Sequence, residues 1–592
     1  MRLVQKRSMD KTRTLRDQIL AQNPTSQQQD AIFAENLEFL LRAAPGSGKT
    51  WTSCRRFIWR GANWPHSAGG LALLSFTNAA IREFQQATIK IGRRDLLSDP
   101  NYVGTFDSFV ERFILAPFGH LISGLSWRPK LFIAPRPGDR NNKKLMAWLE
   151  LKGGNKQPVF AWEIVPYPKD TKIAYRTQRG LDLSADSNAR QAVMELMSLG
   201  YYTHGQRVYW AVRLLYQRPH LARLLARGFP EIIVDEAQDT NAWLLILLNL
   251  IRTQGSKVTL VGDPDQCIYE FSMADVTSLL ALKEKWDISE KPLSQSFRCN
   301  NQIANAVRNI GGNQSFIGYG DAMNISCIPY ITRETNEQFS LSVAEFKKAL
   351  DRAGIDMASS AILCRGHQQL ELIRGEANYE QLQGATKEFA KASFLRDCRR
   401  DYKRAFDLVT VSIRLLVDDP DLWKRIDEAP ESIEAQRVNL AIWRFVRSQT
   451  GLPPVNLSAS EWIPQLRTSL GRVLADFCAS NVPNLNQRIK KTGLNDMQTN
   501  LSLFSQYMLF PPIRQETIHG VKGESINGVL VLGSAKFWNS VIDSVSKRET
   551  SEDRRLAYVA MSRARHLLVV GLPATHFDKH KKSWVNWGFS VL

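Results

Sequence analysis

The amino-acid sequence predicts an α/β protein with more than one sheet and two mainly helical insertions. Three observations carry that prediction. Short apolar runs recur at 37–42, 71–75, 231–234, 257–261, 361–364 and 528–532, with helical stretches between them. A glycine-rich loop ending in Lys49 and Thr50 follows the first run, and an acidic pair, Asp235 and Glu236, follows the third. Two long stretches, 109–225 and 373–505, hold few such runs and read mostly as helices.

Each apolar run is leucine-rich or β-branched and is bounded by polar or glycine residues. That is how a parallel strand buried on both faces reads. Strands alternating with helices give helix layers packed on parallel sheet. The insertions are read from helical periodicity. At 458–477, Ser458 and Glu461 match a capping box, and Trp462, Leu466, Leu470, Val473, Leu474 and Phe477 follow at helical spacing.

Composition narrows the class. The longest apolar run, Trp243–Ile251, falls far short of the ~20 residues a membrane span requires. The first residues lack the apolar segment of a signal peptide. The 7 cysteines include no CxxC pair and the 9 histidines form no ligand pattern, so neither a disulfide framework nor a zinc site is expected. These features predict a cytoplasmic protein with no membrane partner. The net charge of +19 points to a polyanionic partner. Much of the excess lies between Leu125 and Gly180, where 12 Lys/Arg face 4 Asp/Glu among prolines and aromatics.

The chemistry begins at "LLRAAPGSGKTWTS" (40–53). Backbone amides around Gly46, Ser47 and Gly48 can wrap phosphates, because glycine permits a tight approach. Lys49 would neutralise the outer phosphates and Thr50 would ligate Mg²⁺. In "EIIVDEAQDT", a buried strand delivers Asp235 and Glu236 to its C-terminal edge, where α/β ligands bind. Asp235 would hold the metal, and Glu236 is placed to polarise the attacking water. The cofactors expected are ATP and Mg²⁺.

These motifs, with others in order, resemble the superfamily 1 helicases of the UvrD/Rep type. "PTSQQQDAI" resembles the adenine-reading Q motif, with Gln28 as its glutamine. "LLSFTNAA" (73–80) and "VGTFDSF" (103–109) resemble the strand-contacting motifs, and "VGDPDQCIYEF" (261–271) the sensor motif with Gln266 next to the γ-phosphate. "LSQSFRCNNQIA" (293–304) and "RRLAYVAMSRAR" (554–565) resemble the motifs carrying two arginine fingers, Arg298 and Arg563. "TIHGVKGES" (517–525) resembles the motif that couples nucleotide to nucleic acid, with Glu524 assigned to the ATP site. At the positions where the family sandwiches adenine stand Trp51 and Phe297. Trp51 is then either a face for the base or an aromatic of the first helical turn packed into the core. Phe76, Thr77, Asn78, Tyr269 and Phe271 match positions that touch a single strand in the family, and Arg365 is a further DNA-binding candidate.

The resemblance implies two RecA-like P-loop domains, each with a mainly helical insertion. The first domain is assigned 1–108 and 226–290 with insertion 109–225. The second is assigned 291–372 and 506–592 with insertion 373–505. It implies an ATP-dependent DNA helicase or translocase moving 3′→5′ on a single strand or a single/double-strand junction, in DNA repair or antiphage defence. "GTFDSFVERFILAPFGH" (104–120) resembles the helicase-like subunit of the Gabija antiphage system, whose partner is an OLD-type nuclease. Two departures touch coupling. The sensor motif has Ser272 where the family has arginine, and Glu524 stands one place early. Ser272 and the compact insertions favour an alternative: a DNA- or nucleotide-sensing ATPase subunit that regulates an OLD-type nuclease without processive unwinding.

Overall fold

The structure, a computed structural model, describes residues 14–133, 142–150, 156–169, 172–184, 187–268, 276–311, 315–320, 328–335, 339–366, 369–370, 384–417, 419–428, 432–475, 484–489 and 513–592. Two six-stranded sheets organise these residues. The first contains β1 (Phe39–Ala43), β2 (Leu71–Ser75), β3 (Tyr102–Thr105), β4 (Glu231–Val234), β5 (Lys257–Gly262) and β6 (Ser289–Leu293). Their order is β6-β1-β5-β4-β2-β3, parallel throughout. The second contains β7 (Tyr330–Glu334), β8 (Ser360–Cys364), β9 (Arg514–Thr517), β10 (Ile526–Leu532), β11 (Ala564–Pro573) and β12 (Ser590–Val591). Its order is β9-β8-β10-β11-β7-β12, again all parallel.

Both sheets are covered on both faces, which is why their central strands are mainly apolar, with isolated exceptions such as Arg42 in β1 and Thr259 in β5. Phe39, Leu41 and Ala43 join Leu73, Ile233 and Val261 in one core. Leu40 joins Ala72, Ile232, Val234 and Leu260 in the other. In the second sheet Ala361, Leu363, Val529 and Val531 face one core, and Ile362, Cys364, Leu530 and Leu532 the opposite one. Successive side chains alternate, so a doubly covered strand has no polar phase to show.

The 109–225 stretch contains the expected helices, among them Ala189–Ser198 and Arg207–Gln217. The stretch also holds three two-stranded ladders that the helical reading does not include. Met146–Glu150 pairs antiparallel with Lys156–Phe160, Ile164–Lys169 antiparallel with Lys172–Thr177, and Lys130–Leu131 parallel with Tyr201–Tyr202. Pro158, Pro166 and Pro168 sit within these strands, where proline is tolerated only because no further strand pairs there. This insertion shares a core with the first sheet, through Phe109, Ile114, Trp210 and Leu215.

The second insertion is helical among its described residues: Gly384–Arg399, Tyr402–Leu416, Pro420–Glu428, Ile433–Arg447 and Ala459–Ala475 enclose a separate core. The Glu461 carboxylate accepts from the Ser458 backbone N at 3.2 Å and from its hydroxyl at 2.7 Å, fixing the start of the last of these helices. Trp462, Leu466, Leu470 and Leu474 are buried on its inner face. Phe477 lies outside the described residues. Among the described residues no helix is long and apolar enough to cross a membrane.

Candidate active site

The carboxyl edges of β1 and β4 meet the second sheet's domain around a cleft of about 1120 Å³. The loop after β1 turns through two left-handed glycines, Gly46 (φ +73°) and Gly48 (φ +79°), into the helix Lys49–Ala62. That places the free amides of a helix N-terminus at the cleft, a setting that favours anions. Gly46 also closes against the other domain. The Phe297 backbone N donates to the Gly46 carbonyl at 2.8 Å, and a Cβ on Gly46 would come within 2.5 Å of the Arg298 Cβ. The Ser47 hydroxyl is buried with no hydrogen-bond partner among the described residues.

Gln28 supports the loop from behind. Its side-chain oxygen accepts from the Thr25 backbone N (3.0 Å) and its Nε2 donates to the Ser47 carbonyl (3.1 Å). The residue matched to adenine reading is therefore buried and already bonded at both ends of its amide.

Asp235 and Glu236 diverge because Glu236 takes a left-handed backbone, φ +55°, a strained conformation for a residue with a Cβ. Lys49 Nζ donates to Glu236 Oε2 at 2.6 Å, and Gln238 also donates to that carboxylate. Burial works against the Glu236 charge, but Lys49 and then Lys522 more than offset it and hold its pKa down, at about 2. Asp235 faces the loop helix. Its Oδ2 is 3.5 Å from Thr50 Oγ1 and its Oδ1 accepts from Ser53 Oγ at 3.3 Å. Burial, then the Glu236 charge, push the Asp235 pKa up to about 7. An anion with too little positive charge nearby, beside a threonine hydroxyl, fits a site for a divalent cation.

The opposite wall has the converse imbalance. Arg298 donates to Ser525 Oγ (2.8 Å) and to the Ser562 and Gly523 carbonyls (3.2 and 3.4 Å). Arg563 donates to the Val559 carbonyl (3.0 Å) and, across the cleft, to Gln266 Oε1 (2.9 Å). Neither has a carboxylate partner among the described residues. Burial, then the neighbouring Arg298 charge, lower the Arg563 pKa to about 9, and burial lowers that of Arg298. Two cations lacking counter-anions face a loop of amides, and the pair fits a polyphosphate.

Gln266, on the first sheet's side, is itself held: its Nε2 donates to Asp263 Oδ2 at 2.6 Å, and the Tyr558 hydroxyl approaches the same oxygen at 3.4 Å. Lys522 donates to both oxygens of Asp239, at 2.6 and 2.7 Å, joining the two domains at the cleft floor. His519 Nε2 lies 2.9 Å from the Ile268 carbonyl. Sequence reading quotes Asp239, Lys522 and Tyr558 inside motifs without giving them roles. Asp239 and Lys522 stand within three residues of Glu236 and Glu524, whereas Tyr558 is five residues from Arg563 and has no such signal.

Trp51 and Phe297, 48% exposed, both line the cleft. The Arg55 guanidinium lies over the Trp51 ring at 4.3 Å, and Trp51 is half-buried, packing against the core beneath the first sheet while it borders the cleft. Glu524 also lines the cleft, held by Arg514 through two bonds of 2.6 and 3.1 Å. Phe76 and Thr77 border the same cleft, with Phe76 against Phe106 at 5.0 Å and Thr77 capping the helix Asn78–Lys90. Asn78 is exposed at that helix start. Arg365 is ion-paired with Asp553 at 3.0 Å. Tyr269, Phe271 and Ser272 lie outside the described residues.

Residues 24–143 and 175–287 match the UvrD/REP helicase N-terminal domain, and residues 466–573 the UvrD-like helicase C-terminal domain. DNA helicase II of Salmonella typhimurium is 23% identical over 92% of this chain and 83% of its own length. DNA helicase II of Escherichia coli shows the same identity and coverage. ATP-dependent DNA helicase PcrA of Bacillus subtilis is 24% identical over 49% of this chain and 39% of its own length.

Proposed function

Because this chain belongs to the UvrD/REP helicase family of ATP-hydrolysing enzymes, we propose that it couples ATP hydrolysis in this cleft to movement along DNA, 3′→5′. The observation that carries the reading is the matched imbalance across the cleft: a glycine loop and two arginines with no carboxylate partner among the described residues, facing Asp235, which has no ion pair among them. Lys49 and the loop amides bind the outer phosphates, and Thr50 with Asp235 holds Mg²⁺. The metal, when bound, neutralises charge on the phosphate oxygens. Trp51 and Phe297 flank the base, Gln28 fixes the loop at the adenine end, and Glu524 borders the nucleotide.

When ATP enters, its phosphates take over Lys49, and Glu236 is released to accept a proton from water. The water oxygen attacks the γ-phosphorus, the bond to the bridging oxygen breaks, and ADP and phosphate result. Arg298, Arg563 and Gln266 stabilise the charge that spreads over the transferred oxygens. Because those three come from both domains, hydrolysis loosens the closed arrangement. The domain division follows: 1–108 with 226–290 forms one closing body and 291–372 with 506–592 the other. Phe76, Thr77, Asn78, Tyr269, Phe271 and Arg365 are proposed to contact the strand, with Arg365 exchanging Asp553 for phosphate.

We further propose a role in DNA repair or antiphage defence with an OLD-type nuclease, a reading supported by the 104–120 segment. A second reading, a regulatory ATPase without processive unwinding, is supported by the displaced Glu524 and its pairing with Arg514. Side-by-side assays of the purified chain decide between them: ATP turnover with and without DNA, and unwinding of long duplexes with 3′ or 5′ tails. We expect clear stimulation by DNA and weak unwinding by the chain alone. Absence of stimulation overturns the motor reading, and robust processive unwinding overturns the regulatory one.

A further inference from the structure

Away from the cleft, five aromatic rings form one continuous row on the first insertion. Trp127 meets Tyr201 edge-on at 6.5 Å, and Tyr201 meets Phe132 edge-on at 6.1 Å. Phe132 then stacks on Trp162 (5.2 Å, 12° between planes) and Trp162 on Phe160 (4.7 Å, 2°). Trp127 is 42% exposed, the other four rings are half-buried, and the adjoining Ile133 is 93% exposed. Nothing in the hydrolytic site uses these side chains.

The surroundings are cationic. Arg128 follows Trp127 in the chain, Lys130 pairs in register with Tyr201, and Lys156 opens the strand that ends at Phe160. Arg179 follows Gln178, whose side chain donates to the Trp162 carbonyl. All four cations are exposed and none is ion-paired with a described residue. Three acids lie on the same ladders: Glu163 accepts from the Phe160 backbone N at 3.0 Å, Asp182 from the Tyr167 hydroxyl at 2.9 Å, and Glu150 stands opposite Lys156 in register. Trp162 is stacked on both faces, by Phe132 and Phe160, so the rings placed to meet a base are those at the ends of the row, Trp127 and Phe160. Cations beside such rings match a strand whose phosphates and unpaired bases are both available; a duplex keeps its base faces covered.

We propose that this row is a stacking surface for unpaired bases, an inference that rests on the DNA-motor reading above. The test uses the full chain, a fluorescent oligothymidylate, and a blunt duplex of the same length. Phe160→Leu keeps the apolar bulk and removes the ring, and Trp127→Ala alters an exposed side chain. Each is expected to weaken single-strand binding about five- to a hundredfold, the loss of one stacked base. Duplex affinity should change less than twofold. In the unaltered chain, an oligonucleotide carrying 5-iodouracil should photocrosslink to the row. Equal losses for strand and duplex would assign the surface to phosphates and overturn base stacking. Unchanged affinities with no crosslink to the row, in a chain whose ATP turnover still responds to DNA, overturn the inference and leave the motor reading standing. If the unaltered chain neither binds the strand nor responds to DNA, both fall.

Discussion

At the scale of single residues, the ionisation of Glu236 is set by two lysines from different domains, Lys49 and Lys522. Glu236→Gln retains the shape and removes the base, so nucleotide binding should persist while turnover falls about 10²–10⁴-fold. Equilibrium binding of a fluorescent ATP analogue and phosphate release measure the two separately. Lys49→Ala should instead weaken binding itself. Trp51→Ala should raise the KM for ATP five- to thirtyfold, a loss of about 1–2 kcal/mol, with a smaller effect on kcat, because stacking on the base is the same in ground and transition states. Steady-state kinetics check this, and an unchanged KM would assign Trp51 to the core. These residues are legible in sequence because phosphate chemistry demands particular side chains at fixed spacing. The Arg514–Glu524 pair and the buried amide of Gln28 are not, since a motif states identity and leaves hydrogen-bond partners open.

At the scale of elements, the loop between β1 and its helix is fixed by contact with the strand segment around Phe297. Gly46→Ala would place a Cβ 2.5 Å from the Arg298 Cβ, on a backbone at φ +73°. Left-handed backbone alone costs a residue with a side chain about 1–2 kcal/mol. The expected result is ATP affinity lowered at least tenfold with an unchanged far-UV circular dichroism spectrum. Strand legibility follows burial. β1, β2, β4, β5, β8 and β10 are internal and mainly apolar. β6, read as "SEKPL", is an edge with exposed Ser289 and Glu290 and a proline, the composition that keeps edges from pairing further. β9 and β12 are likewise edges. β11 is central and carries Leu567–Val570, yet it directly follows the Arg563 motif, whose helical residues obscure where the strand begins.

At the scale of the whole molecule, polar contacts join the two sheets' domains at the cleft, and among them the Lys522–Asp239 pair is an enclosed ion pair, 11% and 8% exposed. Breaking one partner leaves a buried charge, whereas removing both does not. Lys522→Met should therefore lower DNA-stimulated turnover strongly, and the double variant with Asp239→Asn should be no worse than either single change. A double-mutant cycle on turnover measures this, and additive losses would show the pair is not coupled. The order of the first sheet has a further consequence, for biosynthesis. Leu41 of β1 sits between Val261 and Lys291. At ribosomal speeds, β1 emerges on the order of ten seconds or more before either neighbour exists. During that interval its amides and carbonyls lack their strands and the phosphate loop has no wall to fold against. The nascent chain thus exposes an apolar edge for longer than most single domains do, and its yield in the cell should depend on chaperone capacity more steeply than its final stability would suggest.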